Sequence, residues 1–264
     1  MSLQKENRLG VLLATFNEGI YNVQDKMLPQ LKNCDVFISH QVTDDKYIQK
    51  NIANKNVRYD VLHSVGLSKN RNNCLKNMQN EINLIADDDL EYIPGFEKII
   101  LEAFEKNKEA DIITFQIEGK VKFPNKQWHN MFTIVKVSSV TIAFRASAIK
   151  KSGIIFNEKF GLGAPYPQGE ENIFLKDCLD AGLKILADPQ VIVKHPHASS
   201  GENFDDRHIC AKTLVFTKMY GTTISFVFML YFAIKKMHTI RSSAHYLKVG
   251  LACLIKGSLQ KHQL

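Results

Sequence analysis

The chain has 264 residues, 45% of them apolar, with 34 Lys and Arg against 27 Asp and Glu, a formal net charge of +7. That composition excludes a disordered chain and allows one domain with a sizeable core plus an appendage. From Asp205 onward nine basic residues face two acidic ones, so this tail carries the whole excess. A nucleic-acid binder should spread its surplus over the folded domain, and no nucleic-acid partner is expected.

The five cysteines are scattered singly without a CxxC pair, which argues against a disulfide scaffold or zinc site and for a reducing compartment. The N-terminus is polar, with no apolar signal-peptide region; the body is expected in the cytoplasm.

In chain order, Leu9–Thr15 is a continuous apolar run, the pattern of a strand buried on both faces. Ile20, Val23, Met27 and Leu31 then recur at helical spacing, and Asp35–Ser39 and Val57–Leu62 read as strands. Leu67–Gln79 is a polar helix, and Ile82–Ala86 a fourth strand running into Asp87-Asp88-Asp89. Phe96, Ile99, Ile100, Ala103 and Phe104 mark an amphipathic helix, followed by a strand at Asp111–Ile117. Val135–Phe144 reads as a strand, Gly161–Gly169 as a loop, and Glu170 as the start of a helix ended by Gly182. Val191–Val193 is a last short strand before His195-Pro196-His197.

This alternation predicts an α/β three-layer, mostly parallel Rossmann-like sheet over residues 1–204, with a helical appendage over 205–264. Such sheets bind ligands beyond the carboxyl ends of their strands, where the triple aspartate falls. Three carboxylates there suit a hard divalent ion, Mg2+ or Mn2+, although a solvated acidic turn gives the same letters. Glu170 and Glu171 could be helix-dipole partners or supply a general base.

The order of these features resembles the family 2 inverting glycosyltransferases of the GT-A fold, over Leu9 to Gly201. The matching segments are Thr15-Phe16-Asn17-Glu18, Gly66-Leu67-Ser68-Lys69-Asn70-Arg71-Asn72, Asp87-Asp88-Asp89, Phe160-Gly161-Leu162-Gly163 with Gly169-Glu170-Glu171, and His195-Pro196. The resemblance implies a nucleotide-sugar donor, with a UDP-sugar favoured, and a divalent metal. Thr15, Asn17 and Glu18 would line the nucleotide pocket, and Arg71 would approach the nucleotide or diphosphate. Asp87 and Asp88 would bind the nucleotide; Asp89, with Asp87 and His195 or His197, would hold the metal. Glu171, beside Glu170, falls at the base position, where aspartate is usual. The Asp-Asp-Gly-Ser that often follows the second strand is replaced by Ser39-His40-Gln41-Val42, which leaves Gln41 as a substitute base reader. Trp128 could stack on a sugar or pack in the core.

In the tail, sixteen uncharged residues separate Lys218 from Lys235, about 24 Å as a helix and short of a ~30 Å hydrocarbon core. Ile240, Ala244, Leu247, Leu251 and Leu254 then recur beside cations, the pattern of an interfacial helix on anionic lipid. The expectation is a peripheral enzyme on the inner membrane face, acting on a glycan or polyprenyl-linked acceptor in cell-surface polysaccharide synthesis. Packing of the tail against the catalytic domain, or against a second subunit in a homo-oligomer, stays open. Rival functions are a nucleotidyltransferase, which should carry a glycine-rich basic loop after its first strand, and a non-catalytic binding protein of the same fold.

Overall fold

A computed structural model describes residues 8–195, 205–235 and 243–259. The first strand, β1 (Gly10–Phe16), leads into a helix that begins at α1 (Gly19–Asn22), widens to a π turn at Val23–Met27 and ends at α2 (Leu28–Gln30). After β2 (Asp35–Gln41) and β3 (Val57–Leu62) come α3 (Leu67–Asn77) and β4 (Ile82–Ala86). A two-residue β5 (Glu91–Tyr92), α4 (Phe96–Lys106), β6 (Ile112–Ile117) and a short β7 (Gln127–Trp128) follow. The sheet is completed by β8 (Ile142–Arg145) and β9 (Ile185–Lys194), with α5 (Ala146–Ser152) and α6 (Glu170–Asp180) between them. The tail forms α7 (Asp206–Tyr220), α8 (Thr222–Lys235) and α9 (Ser243–Leu259).

One sheet runs in the order β3-β2-β1-β4-β8-β6-β9-β5, with β7 added on β9. The four strands β3, β2, β1 and β4 are parallel, β8 inserts antiparallel between β4 and β6, and β6 and β9 are again parallel. Alternate residues feed two separate cores. Val11 and Leu13 of β1, Leu84 of β4 and Ala143 of β8 face the helices at 19–30 and α4. Leu12, Ile85, Ile142 and Phe144 face α3, α5, α6 and α7. Strands covered on both faces need apolar residues at every position, which is why these runs are continuous. The mostly parallel α/β architecture expected from the sequence is present.

Three local expectations are corrected. Val135–Phe144 is not one strand: 3-10 turns at Ile134–Lys136 and Ser139–Thr141 precede β8, although they bury Ile134, Val137 and Val140. Valines favour strands only where a neighbouring strand is available; here Ile134 and Val137 pack into the second core and Val140 into the first. The last strand is longer than Val191–Val193, because Ile185–Ala187 pair in parallel with Ile112–Thr114. Cys210 and Cys253 form a disulfide joining α7 to α9, so two of the five cysteines are paired across the fold, while Cys34, Cys74 and Cys178 are free and buried.

The tail is not a separate layer. Leu214, Val215 and Met219 of α7 complete the second core, and a Cβ on Gly169 would strike Val215. A second small cluster of Ile209, Met229, Tyr246 and Leu254 ties α8 and α9 to α7. Of the expected stripe on α9, Leu254 is buried and Leu247 packs against this cluster, whereas Ala244 and Leu251 are exposed and Ile240 lies outside the described residues; Tyr246, Gly250 and Cys253 complete the buried face. No helix among the described residues is long and apolar enough to cross a membrane.

Candidate active site

A cavity of about 700 Å3 opens at the carboxyl ends of β1, β2 and β4, within the range of small-molecule sites. Thr15, Phe16, Gln41, Asp87–Asp89, Glu170, Glu171, Lys212 and Phe216 are among the residues that line it.

Part of this lining is fixed by Asp88. Its carboxylate accepts a 2.5 Å hydrogen bond from the Thr15 hydroxyl, and its backbone carbonyl accepts one from the Asn22 amide. A methyl group on Gly19 would run into the Asp88 carboxylate, so this close approach requires glycine. Burial raises the Asp88 pKa, with the Thr15 hydrogen bond opposing it. Asp88 thus joins β4 to the loop after β1 and faces inward.

Asn17 and Glu18, expected in the nucleotide pocket, do not line it. Asn17 adopts a left-handed conformation, φ 45°, and its side chain accepts from the Thr43 amide and pairs with the Thr43 hydroxyl. Its carbonyl accepts from Nε2 of the buried His40, whose Nδ1 accepts from the Tyr59 hydroxyl. Burial lowers the His40 pKa, in keeping with a neutral ring. Glu18 is exposed at the start of α1. Gln41 does reach the cavity wall, buried, with its amide donating to the Ser64 hydroxyl at 2.9 Å. Phe16, which the sequence gave no separate reason to choose, lines the same wall and is 42% exposed.

The Arg71 guanidinium is 2% exposed and forks between both acidic motifs: one terminal nitrogen donates to Glu170 at 2.8 Å, the other to Asp87 at 2.8 Å and to the Ser139 hydroxyl at 2.9 Å. Burial acts to lower the Arg71 pKa, but the Asp87 and Glu170 carboxylates outweigh it and raise it overall. Arg71 lines the cavity, where the sequence reading placed it, and there braces Asp87, just after β4, to Glu170 of α6. Gly66 (φ 128°) starts its helix, which is clasped by the 160–163 loop through Leu67 N–H to Leu162 carbonyl and the Ser68 hydroxyl to Phe160 carbonyl.

With Arg71 holding Glu170, Glu171 is the acidic group left for chemistry. Burial first, then the neighbouring Glu170 charge, pushes its pKa from 4.5 up to about 8. Lys122, exposed at the cavity rim, also escaped the sequence, as did Lys212 of α7; both lie in segments with no motif.

Among the described residues no three His, Cys, Asp or Glu side chains converge as a metal cage. Asp87 is engaged by Arg71 and Asp88 by Thr15, so the expected Asp87, Asp89 and His195 set is not assembled. Asp89 Oδ1 and His195 Nε2 stand 3.8 Å apart on the cavity wall. Two ligands of one ion, each about 2.1 Å from it, can span that distance, and Mg2+ commonly takes one or two carboxylates and completes its shell with substrate phosphates. The two atoms would have to close to about 3.0 Å to take adjacent positions on an octahedral ion. His197 lies outside the described residues. Trp128 is 47% exposed on β7, outside the cavity lining, so it does not pack in the core.

The family model for Glycosyl transferase family 2 matches residues 39–163. A search of curated proteins finds no match. Among solved structures, residues 1–349 of S. aureus TarS in complex with UDP-GlcNAc superpose with a TM-score of 0.64 at 14% identity, covering 94% of this chain and 81% of that one. The same TarS fragment without that ligand gives 0.62 at 14% identity, covering 94% and 80%. The mannosyltransferase PcManGT from Pyrobaculum calidifontis, in complex with GDP-Man and Mn2+, gives 0.54 at 12% identity, covering 96% and 75%.

Proposed function

We propose that this chain, a family 2 glycosyltransferase, moves a sugar from a UDP-sugar to a hydroxyl of a glycan or lipid-linked acceptor by one inverting displacement. The observation that carries the reading is the cavity itself, whose lining brings Asp87–Asp89 together with Glu171. The donors bound in TarS and PcManGT, UDP-GlcNAc and GDP-Man, support a nucleotide-sugar here.

The chain's residues divide the work. Phe16 offers a ring face to the nucleobase and Gln41 a polar edge, while the Thr15–Asp88 hydrogen bond holds the end of β1 that carries Phe16. Asp89 and His195 would hold a divalent ion, which when bound supplies positive charge where the departing diphosphate becomes more negative. In the same cavity Glu171 accepts the proton of the acceptor hydroxyl as its oxygen bonds to the anomeric carbon. The bond from that carbon to the diphosphate oxygen breaks on the opposite face, its electron pair leaves with the nucleoside diphosphate, and the configuration inverts. A carboxylate near pH 7 in pKa is a better proton acceptor than one at 4.5, because Brønsted behaviour favours a pKa near the working pH. Arg71 keeps Asp87 and Glu170 in register, and with them the donor ledge and the base.

Calorimetry and turnover test the assignments together. Asp89→Ala should abolish metal-dependent UDP-sugar binding, and unchanged affinity would remove Asp89 from the site. Glu171→Gln should keep donor binding and lose transfer; wild-type turnover would remove Glu171 as base.

The exposed side of the tail supports a place of work on anionic membrane. Ile224, Val227, Tyr231 and Ile234 on α8 are 45–71% exposed, Leu251 and Ile255 on α9 are 41% and 60% exposed, and no acidic residue follows Asp206. Apolar surface bordered only by cations suits the lipid interface. Removing residues after Gly221 should release the chain from phosphatidylglycerol liposomes; equal co-sedimentation of both forms would defeat this reading.

A further inference from the structure

Phe216 belongs to the cavity wall, but the aromatic surface it starts continues outward. Its ring stacks on Phe228 of α8 at 4.9 Å and lies 5.9 Å from Tyr220, one turn on along α7. Tyr220 is in turn 5.5 Å from Phe228 and 5.5 Å from Phe132, which stacks on it at an interplanar angle of 13°. The Tyr220 hydroxyl donates to the Met131 carbonyl at 2.9 Å, so its polar end is already satisfied. Phe216, Tyr220 and Phe228 are half-buried, and Phe132 and Met131 are 58% and 38% exposed. By contrast the core pair Phe156 and Phe174 stacks in full burial. Rings from three separate segments converge, yet remain open to solvent, and they begin inside the reaction cavity. Contiguous exposed apolar surface of this kind marks a binding face more often than a packing one.

We propose that this ledge of Phe216, Tyr220, Phe228 and Phe132 binds the hydrocarbon chain of an amphiphilic acceptor whose hydroxyl-bearing head enters the cavity. The proposal rests on the transferase reading and adds to it a subsite and an acceptor class. A chain attached to a head group in the cavity leaves past Phe216 and meets the other three rings next. The ledge offers ring faces and no free polar group of its own, which suits an aliphatic chain better than a second sugar. It comprises five residues including Met131, far fewer than the roughly 20–30 a protein interface uses on each side, so a protein partner or second copy is the poorer fit.

The test uses the full chain with ethyl and decyl β-glucosides below their micelle concentrations, titrated calorimetrically in the presence of UDP. A methylene fully removed from water is worth about fourfold in affinity. On a half-open ledge, eight added carbons should still raise affinity by at least about tenfold. Phe132→Ser and Phe228→Ser should remove most of that gain. Ile255→Ser, an exposed apolar site on α9 away from the ledge, should leave it intact. Equal affinities of the two glucosides in the wild type would overturn the proposal, as would equal loss in the Ile255→Ser protein, which would indicate non-specific adsorption. A gain that appears only with dimerisation in sedimentation would overturn it in favour of a second copy. UDP binding is read in the same cell, so its loss would strike the transferase reading and leave the two failures distinct.

Discussion

Replacing Arg71 with methionine isolates the brace between the two acidic motifs. The guanidinium is fully buried, and Glu170, its partner on α6, is 6% exposed. Methionine fills similar volume, so the main loss is electrostatic: Glu170 is left charged, buried and unpaired, while Asp87 keeps partial contact with solvent. Breaking a buried pair from one side costs about 3–5 kcal/mol, a large share of the roughly 5–15 kcal/mol that holds a domain together. Urea unfolding should show a loss of that size. The double variant Arg71→Met with Glu170→Gln should recover at least about 1 kcal/mol of it, because no unpaired charge remains buried. Arg71→Lys should recover little, since one ammonium cannot reproduce the fork across Asp87, Ser139 and Glu170. A loss under about 1 kcal/mol for Arg71→Met, or a double variant no more stable than the single, would refute the brace.

Two further outcomes follow from the site. Transfer should rise with pH through a limb near 8 in the free enzyme, because Glu171 must be ionised to accept a proton and its pKa is raised to about 8; a limb near 4.5 in kcat/KM would remove it as base. The stability sign is opposite: a raised carboxyl pKa stabilises the fold fully below about 4.5, and that contribution fades as pH climbs through about 8. Gly19→Ala should weaken UDP-sugar binding at least about tenfold with little change in far-UV dichroism, since the added methyl displaces the Asp88 carboxylate and misplacement near a site costs binding steeply.

The strands and their order were legible where physics is local. Leu9–Thr15 and Ile82–Ala86 are buried on both faces, and only an unbroken apolar run satisfies that environment. The acidic triplet was legible because it directly follows such a run. What the sequence could not carry was convergence. Arg71 and Glu170 are 99 residues apart, and nothing in either motif says that one neutralises the other rather than a diphosphate. From its residues alone Glu171 could equally be a helix-dipole partner, and only the family resemblance marked it as base; its raised pKa comes from burial in the assembled fold. Val135–Phe144 misled because valines that pack from 3-10 turns alternate like those of a strand. The Cys210–Cys253 link depends on how α9 folds back on α7, which no spacing encodes.

The placement of α7 bears on how the catalytic unit could be separated from the rest. The charge distribution divides the chain at Asp205, yet Lys212, Val215 and Phe216 supply part of the cavity wall and Leu214 and Met219 seal the core beneath it. Arg207 also donates to the Ala164 carbonyl, and the Gln168 amide to the His208 carbonyl, so the loop leading to Glu171 is fastened from the tail side. A fragment cut at 204 would lose one wall of its own reaction vessel. The shortest segment that keeps this wall whole therefore ends at Tyr220, at the close of α7, and leaves α8 and α9 as the part that could be exchanged.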